Sequence, residues 1–290
     1  MDSKELFIRR SELRMKEGLT GYLELGMQSK NGSYSAKTLL QKGASRISPA
    51  MYLDTSDIPC YFMLSLGGGF VAGDVYENKF TLEKDAKVIL TTQSPNKIFK
   101  SPNQIPAIQK TFIHLEEGSQ LEYISDSLIA YEDAYYVQDT RIDMAESASL
   151  VYIDGITSGW APTGEKFKYE EVKLKTHIYM NGQPIVLDYL KLTPKSSTMQ
   201  ALGMLEEYTQ FGTMMVIDSR ITDSMIKEMR MYIEQLGKPV RYGLSTPQCN
   251  GFVLRVLGNL TQDIEKVIER CHDYVREQLY DIEPLRLRKY

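Results

Sequence analysis

The densest run of chemistry-bearing residues is Gly67-Gly68-Gly69-Phe70-Val71-Ala72-Gly73-Asp74. Residues 67–72 match G-x-G-x-x-A after an apolar run, the spacing that cradles a dinucleotide pyrophosphate. That chemistry needs a helix to follow, because its N-terminus supplies the anion site. Residues 74–82 read instead as extended chain, and Thr91-Thr92-Gln93 stands where an acidic ribose ligand is expected. The cluster is therefore read as a tight turn, with glycine used where φ is positive. A nucleotide-dependent oxidoreductase rests on this match alone.

Gly159-Trp160-Ala161-Pro162-Thr163-Gly164-Glu165-Lys166-Phe167 falls short of a phosphate loop. Glu165 occupies the place of the phosphate-binding lysine, and Phe167 that of the magnesium-binding hydroxyl. Nucleotide hydrolysis by this chain is rejected. The three histidines (His114, His177, His272) and three cysteines (Cys60, Cys249, Cys271) form no C-x-x-C, H-x-H or H-E-x-x-H pattern. Cys271 and His272 are neighbours on a helix, so their side chains diverge by about 100°. A tight soft-metal site is not expected. No residue set supplies nucleophile, base and electrophile together, so the reading is of a non-enzyme.

The elements that must carry these residues are mostly strands. Residues 19–25, 60–66, 79–82, 87–92, 109–115, 120–124, 135–141, 150–156, 168–179 and 185–192 read as short strands separated by turn signals. Asn181-Gly182 marks a hairpin, since a type I′ turn needs positive φ at both central residues. Two helices follow. Thr222 is placed to cap 223–236, with Met225, Ile226, Met229, Ile233 and Leu236 on one face and Gly237 as the stop. Thr261 is placed to cap 262–279, with Ile264, Val267, Ile268, Cys271, Val275 and Leu279 on one face. Residues 251–257 form a strand between them. The expected fold is mainly β: elongated, stacked or sandwiched antiparallel sheets with about two C-terminal α-helices packed on them. Residues 1–290 are read as one domain, strand-rich over 1–220 and helix-strand-helix over 221–290.

The chain has 290 residues and a net charge of −4, without the basic stripe that nucleic-acid binding requires. Its longest basic stretch is the tail Leu285-Arg286-Leu287-Arg288-Lys289. Three scattered cysteines make no disulfide framework and fit a reducing compartment. Residues 1–10 mix charges and show no signal-peptide core, and no apolar run approaches the ~18 residues of a membrane span. The expectation is a cytoplasmic protein with protein partners, no nucleic acid and no membrane.

The motifs also carry a resemblance. Leu66-Gly67-Gly68-Gly69-Phe70-Val71-Ala72-Gly73-Asp74 is similar to P-G-G-G-hydrophobic-V-G-G-D. Leu90-Thr91-Thr92-Gln93-Ser94-Pro95-Asn96-Lys97-Ile98-Phe99-Lys100-Ser101 is similar to L-T-T-Q-x-x-T-K-hydrophobic-aromatic-R/K-S. In this order they resemble the urease accessory protein UreD family, also called UreH. Residues 159–167 resemble the family's G-R-x-A-x-G-E-x-F, and residues 251–258, with Arg255, its closing strand. Ala72, Asn96 and Trp160 depart from the pattern. A positive φ at Ala72 would strain the loop by about 1 kcal/mol or more. Trp160 stands where the family has an arginine, so that arginine's role does not carry over.

The resemblance implies a non-catalytic maturation factor. Such a protein joins UreF and the GTPase UreG on the urease apoenzyme and helps nickel, brought by UreE or UreG, reach its buried site. No cofactor is expected to bind tightly, and nickel would be in transit. Nickel accepts carboxylate, carbonyl and water ligands, and a path must hold it loosely enough to release it. Asp74 and Glu165 are the motif carboxylates that could line such a path. The plainer alternative has Asp74 capping the glycine turn and Glu165 pairing with a lysine. Gly67, Gly68, Gly69 and Gly73 are read as structural, holding a turn that places residues 90–101. Lys97 and Lys100 would face solvent or a partner, and Thr91, Thr92 and Gln93 either a wet interior or water at a sheet edge. Gly164, Glu165, Phe167 and Arg255 complete the motif residues. The competing reading is a β-rich protein- or carbohydrate-binding module unrelated to urease.

Overall fold

The computed structural model describes residues 18–287. Residues 1–10, read above for a targeting signal, and the Arg288-Lys289 end of the basic tail lie outside them. Two large sheets face each other. The first runs β14 (Gln183–Leu192), β13 (Glu171–Met180), β11 (Tyr135–Met144), β8 (Ala107–Leu115), β5 (Val75–Leu82), β1 (Gly21–Lys30), β2 (Ser33–Gly43). The second runs β16 (Arg241–Ser245), β17 (Gly251–Gly258), β15 (Gln210–Ile217), β12 (Ser149–Ile156), β9 (Gln120–Ile124), β6 (Lys87–Thr92), β4 (Cys60–Ser65), β3 (Ser45–Ile47). A small third ladder joins β7 (Lys97–Ile98) to β10 (Ile129–Ala130).

The mainly-β class is as expected, but the pairing is not purely antiparallel. β1, β5, β8, β11 and β13 pair in parallel, and so do β4, β6, β9 and β12. The reason is the order of travel. From β4 to β13 successive long strands alternate between the sheets, so the chain re-enters each sheet in the same direction. Parallel strands need a crossover, and here a strand of the facing sheet supplies it. The turn between β5 and β6 is therefore a corner from sheet to sheet, not a hairpin. Corners stack: Asp85 N–H donates to Glu117 O at 2.9 Å and Ser149 N–H to Ser119 O at 2.8 Å. Antiparallel pairing is kept at the ends, including β13–β14 across Asn181 (φ 49°) and Gly182 (φ 77°).

Burial explains the two kinds of strand. The outer face of the first sheet is solvated, so β1 and β13 alternate buried and half-exposed residues. The second sheet is covered on both faces, and β6, β12 and β15 are near-continuous buried runs. One core lies between the sheets, with Leu25, Phe80, Leu115 and Ile142 facing Leu90, Leu121, Leu150 and Met215. The other lies under α1 (Asp223–Gln235) and α2 (Thr261–Val275), where Ile226, Met229, Val267 and Cys271 meet Val151, Met214 and Leu254. Both helices thus bury the faces read from their spacing. Thr222 caps α1, its hydroxyl accepting from Met225 N–H at 3.4 Å. Thr261 does not cap α2. The helix starts at Thr261 itself, and its hydroxyl turns to the Gln210 side chain, 2.5 Å away. A π-helical turn, Arg276–Tyr280, continues α2. No described helix is long and apolar enough to cross a membrane.

Candidate functional site: a motif ladder and the cavities behind it

The three motif segments lie on the side of the coil where the chain passes from the second sheet back to the first. There the first two bond directly, and the third joins them through residues 129–132. Phe70 N–H donates to Lys97 O at 2.7 Å, and Phe99 N–H returns to Phe70 O at 2.9 Å. Tyr131 N–H donates to Ile98 O at 2.9 Å, Trp160 N–H to Ala130 O at 3.0 Å, and Glu132 N–H to Trp160 O at 2.8 Å. Loops of four successive coils thereby form a third, narrow face running Phe70, Ile98, Ala130–Tyr131, Trp160.

Glycine is required where backbones close up. A Cβ on Gly69 would stand 2.5 Å from Lys97 O, and one on Gly159 (φ 83°) would collide with Ala130 O. Gly67, Gly68 and Gly73 take φ of 93°, 78° and 81°, as the turn reading requires. Ala72 does not take a positive φ, so the strain expected there does not arise. Asp74 is buried within the turn. Its carboxylate accepts from Val71 N–H at 2.8 Å and from the Thr20 hydroxyl at 3.1 Å. Glu165 is exposed and pairs with Lys168 at 3.0 Å. These two carboxylates are not brought together. They take the places that the plainer alternative gave them. Gly164 (φ 76°) shapes the same loop. Phe167, also at positive φ, is buried and donates its N–H to Ser158 O at 2.8 Å.

Thr91 and Thr92 lie in a central strand, not at an edge. The Thr91 hydroxyl donates to Ile124 O at 2.7 Å, and that of Thr92 to Asp126 Oδ2 at 2.9 Å. Gln93 is exposed, and its N–H donates to Met63 O at 3.0 Å. Lys97 is exposed, and Arg255 forms an ion pair with Asp188 across to the first sheet.

Thr92 opens onto a cavity of about 60 Å³ between the sheets, lined also by Asn78, Gln109, Gln138, Asp126 and Asp154. A second cavity, of about 200 Å³, lies on the other side of the second sheet, under α2 and Leu285. Ser125, Asp126 and Asp154 line both. Asp154 is half-buried. Its carboxylate accepts from the Tyr152 hydroxyl at 3.2 Å and from Gln138 Nε2 at 3.3 Å. Burial, then the charge of Asp188, pushes its pKa up to about 7. Such a carboxyl exchanges a proton near neutral pH.

Beside the second cavity sits a fully buried ion cluster. Glu122 receives Arg276 Nη1 on both oxygens, at 2.8 and 2.7 Å, and lies 2.7 Å from His272 Nε2. Arg276 also pairs with Asp54 and donates Nε–H to Glu283 O at 2.9 Å. Among the described residues, no group of three or more His, Cys, Asp or Glu side chains is placed to hold a metal ion. Sequence reasoning passed over Glu122, Asp126 and Asp154. The signal available was a carboxylate inside an apolar strand, as in Leu150-Val151-Tyr152-Ile153-Asp154-Gly155-Ile156.

Residues 19–289 match the family model described as UreD urease accessory protein. The chain belongs to the UreD family. The UreD of Lachnoclostridium phytofermentans is 38% identical over 93% of this chain and 98% of its own length. That of Streptococcus salivarius is 34% identical over 95% and 98%, and that of Ureaplasma parvum 35% over 89% and 91%. All three are named urease accessory protein UreD. The motif ladder lies within the residues matched to the UreD model, and Asp126 and Asp154 line the cavity just behind it.

Proposed function

We propose that this chain is a urease maturation factor, not a catalyst. It acts as a scaffold with UreF and the GTPase UreG on the urease apoenzyme, in the cytoplasm, and helps nickel reach the apoenzyme's metal site. Nickel is cargo in this reading, and no cofactor binds tightly. The observation that carries it is the pair of polar cavities on the two faces of one sheet, sharing Ser125, Asp126 and Asp154. Their oxygen donors suit a borderline divalent ion held weakly, and weak sites are what transit requires.

The test is nickel-dependent activation of urease in a reconstituted mixture with UreF and UreG, with and without this chain. Activation is expected only with it. Asp126→Ala and Asp154→Ala are expected to lower activation while the three-protein complex still assembles. Asp74→Ala and Glu165→Ala belong in the same assay. Their partners make them holders of turn and loop, so activation by assembled complexes is expected to persist. Normal activation by both Asp126→Ala and Asp154→Ala would remove the path from this reading.

A further inference from the structure

The motif ladder presents an outer surface that the metal path does not use. Three rings lie in a row on it. Phe99 meets Tyr131 edge-on at 5.2 Å between centroids, and Tyr131 meets Trp160 at 4.9 Å. Trp160 is 52% exposed, and Val71 is 51% exposed. Phe99 and Tyr131 are half-buried, so the exposed Trp160 ring and Val71 form the apolar part that a partner side chain could cover.

Charge says what kind of partner fits. Lys97 and Lys100 flank the Ile98 rung, and Lys166 lies in the loop after Trp160. All three are exposed, and none has an ion-pair partner among the described residues. Nearby Asp133 is already paired with Lys195, and Glu165 with Lys168. Glu132, on the same ladder, is half-buried and forms no ion pair among the described residues. The chain as a whole is acidic, at −4, so this face departs locally from its average. The glycine turn adds donors. Among the described residues, none accepts from the backbone N–H of Gly67 or Gly69, while Gly68 N–H closes the turn after Ser65. Space above Gly67 and Gly68 is open, since a Cβ there would meet nothing within 4 Å. Free backbone N–H groups beside lysines are carboxylate acceptor sites, and the neighbouring rings hold an apolar side chain.

We propose that this face docks an acidic segment of a protein partner, one that sets carboxylates beside an aromatic or aliphatic side chain. The carboxylates lie against Lys97, Lys100 and the Gly67–Gly69 turn, and the apolar side chain against Tyr131 and Trp160. The inference goes beyond the maturation role and does not depend on it.

The chain offers its own probe, because Trp160 is its single tryptophan. Full-length protein carrying 5-fluorotryptophan gives one fluorine resonance from this surface. Three probes are titrated against it: a tryptophan-free peptide of aspartate, glutamate and phenylalanine, its asparagine–glutamine counterpart, and a β-linked oligosaccharide. The acidic peptide is expected to shift the resonance. Its affinity should fall by at least about tenfold when salt rises from about 0.05 to about 0.5 M. A comparable loss is expected in Lys97→Glu/Lys100→Glu/Lys166→Glu, whose far-ultraviolet spectrum and melting midpoint check that it folds. Equal binding of the neutral peptide, tighter binding of the sugar, a shift on raising protein concentration alone, or no shift with any probe would each overturn the proposal.

Discussion

Arg276, on the turn that follows α2, holds both carboxylate oxygens of Glu122 on β9, 154 residues earlier in the chain. Both side chains are fully buried. Together with Asp54 and His272 they pin the C-terminal segment to the second sheet. Removing one partner of a buried pair leaves a charge without compensation, which costs far more than the intact pair contributes. Arg276→Met and Glu122→Gln are each expected to lose ~3–5 kcal/mol in urea unfolding. A loss below about 1 kcal/mol would mean that water reaches the cluster.

The same cluster sets an acid limit. Burial alone would raise the Glu122 pKa, but the hydrogen bond and charge of His272 and the charge of Arg276 outweigh it, and the net direction is down. A depressed carboxyl stabilises the fold above the pKa of the unfolded chain, and that stability is lost as pH falls through the folded value. Wild type should therefore weaken below the ordinary glutamate value of 4.5. Glu122→Gln should show a shallower acid slope in urea midpoints taken across that range.

Asp154 has the opposite sign. Its pKa in the fold, about 7, stands above the ordinary 3.8. Between these values the unfolded chain releases its proton and the fold keeps it, so stability falls as pH rises and levels off above the folded value. Asp154→Asn removes this slope. Relative to wild type, it should be more stable at about pH 8 than at about pH 5. Equal differences at both would place Asp154 in free contact with water.

The ladder predicts unequal costs for two neighbouring glycines. Gly67→Ala and Gly69→Ala both put a Cβ on a backbone suited to glycine, at about 1 kcal/mol or more. Only Gly69 also meets Lys97 O and the Phe99 ring. Gly69→Ala should melt lower than Gly67→Ala and speed hydrogen exchange at the Phe70 and Phe99 amides. The reverse order would remove the close approach from the account of this turn.

Ala72 tests the same turn from the other side. Because it does not take a positive φ, glycine there relieves nothing and only frees the unfolded chain. Ala72→Gly is expected to destabilise by ~0.4–1 kcal/mol in thermal unfolding. A gain in stability would show that the alanine is strained after all.

The sequence by itself determined the β character, the two helices and their buried faces, the Asn181-Gly182 hairpin, and the turn at the glycine cluster. These follow from local rules: alternation, helical spacing, turn chemistry, and a missing helix where a phosphate site would need one. Strand β2 was not legible, because only Tyr34 and Ala36 of the edge strand Ser33–Gly43 pack on the core, while Leu39 and Leu40 are exposed and blur the alternation. Parallel pairing was not legible either. It depends on which sheet each strand joins, and period-two patterning is blind to that. Tertiary structure alone decided that residues 67–74, 90–101 and 159–167 form one ladder. Their contacts are backbone hydrogen bonds between distant loops, and backbone groups are alike whatever the side chains. It also decided that Asp154 and Asp126 face two cavities and that Glu122 meets Arg276. Each stands in a strand or loop as a lone carboxylate, and its neighbours in space come from segments that no spacing rule connects.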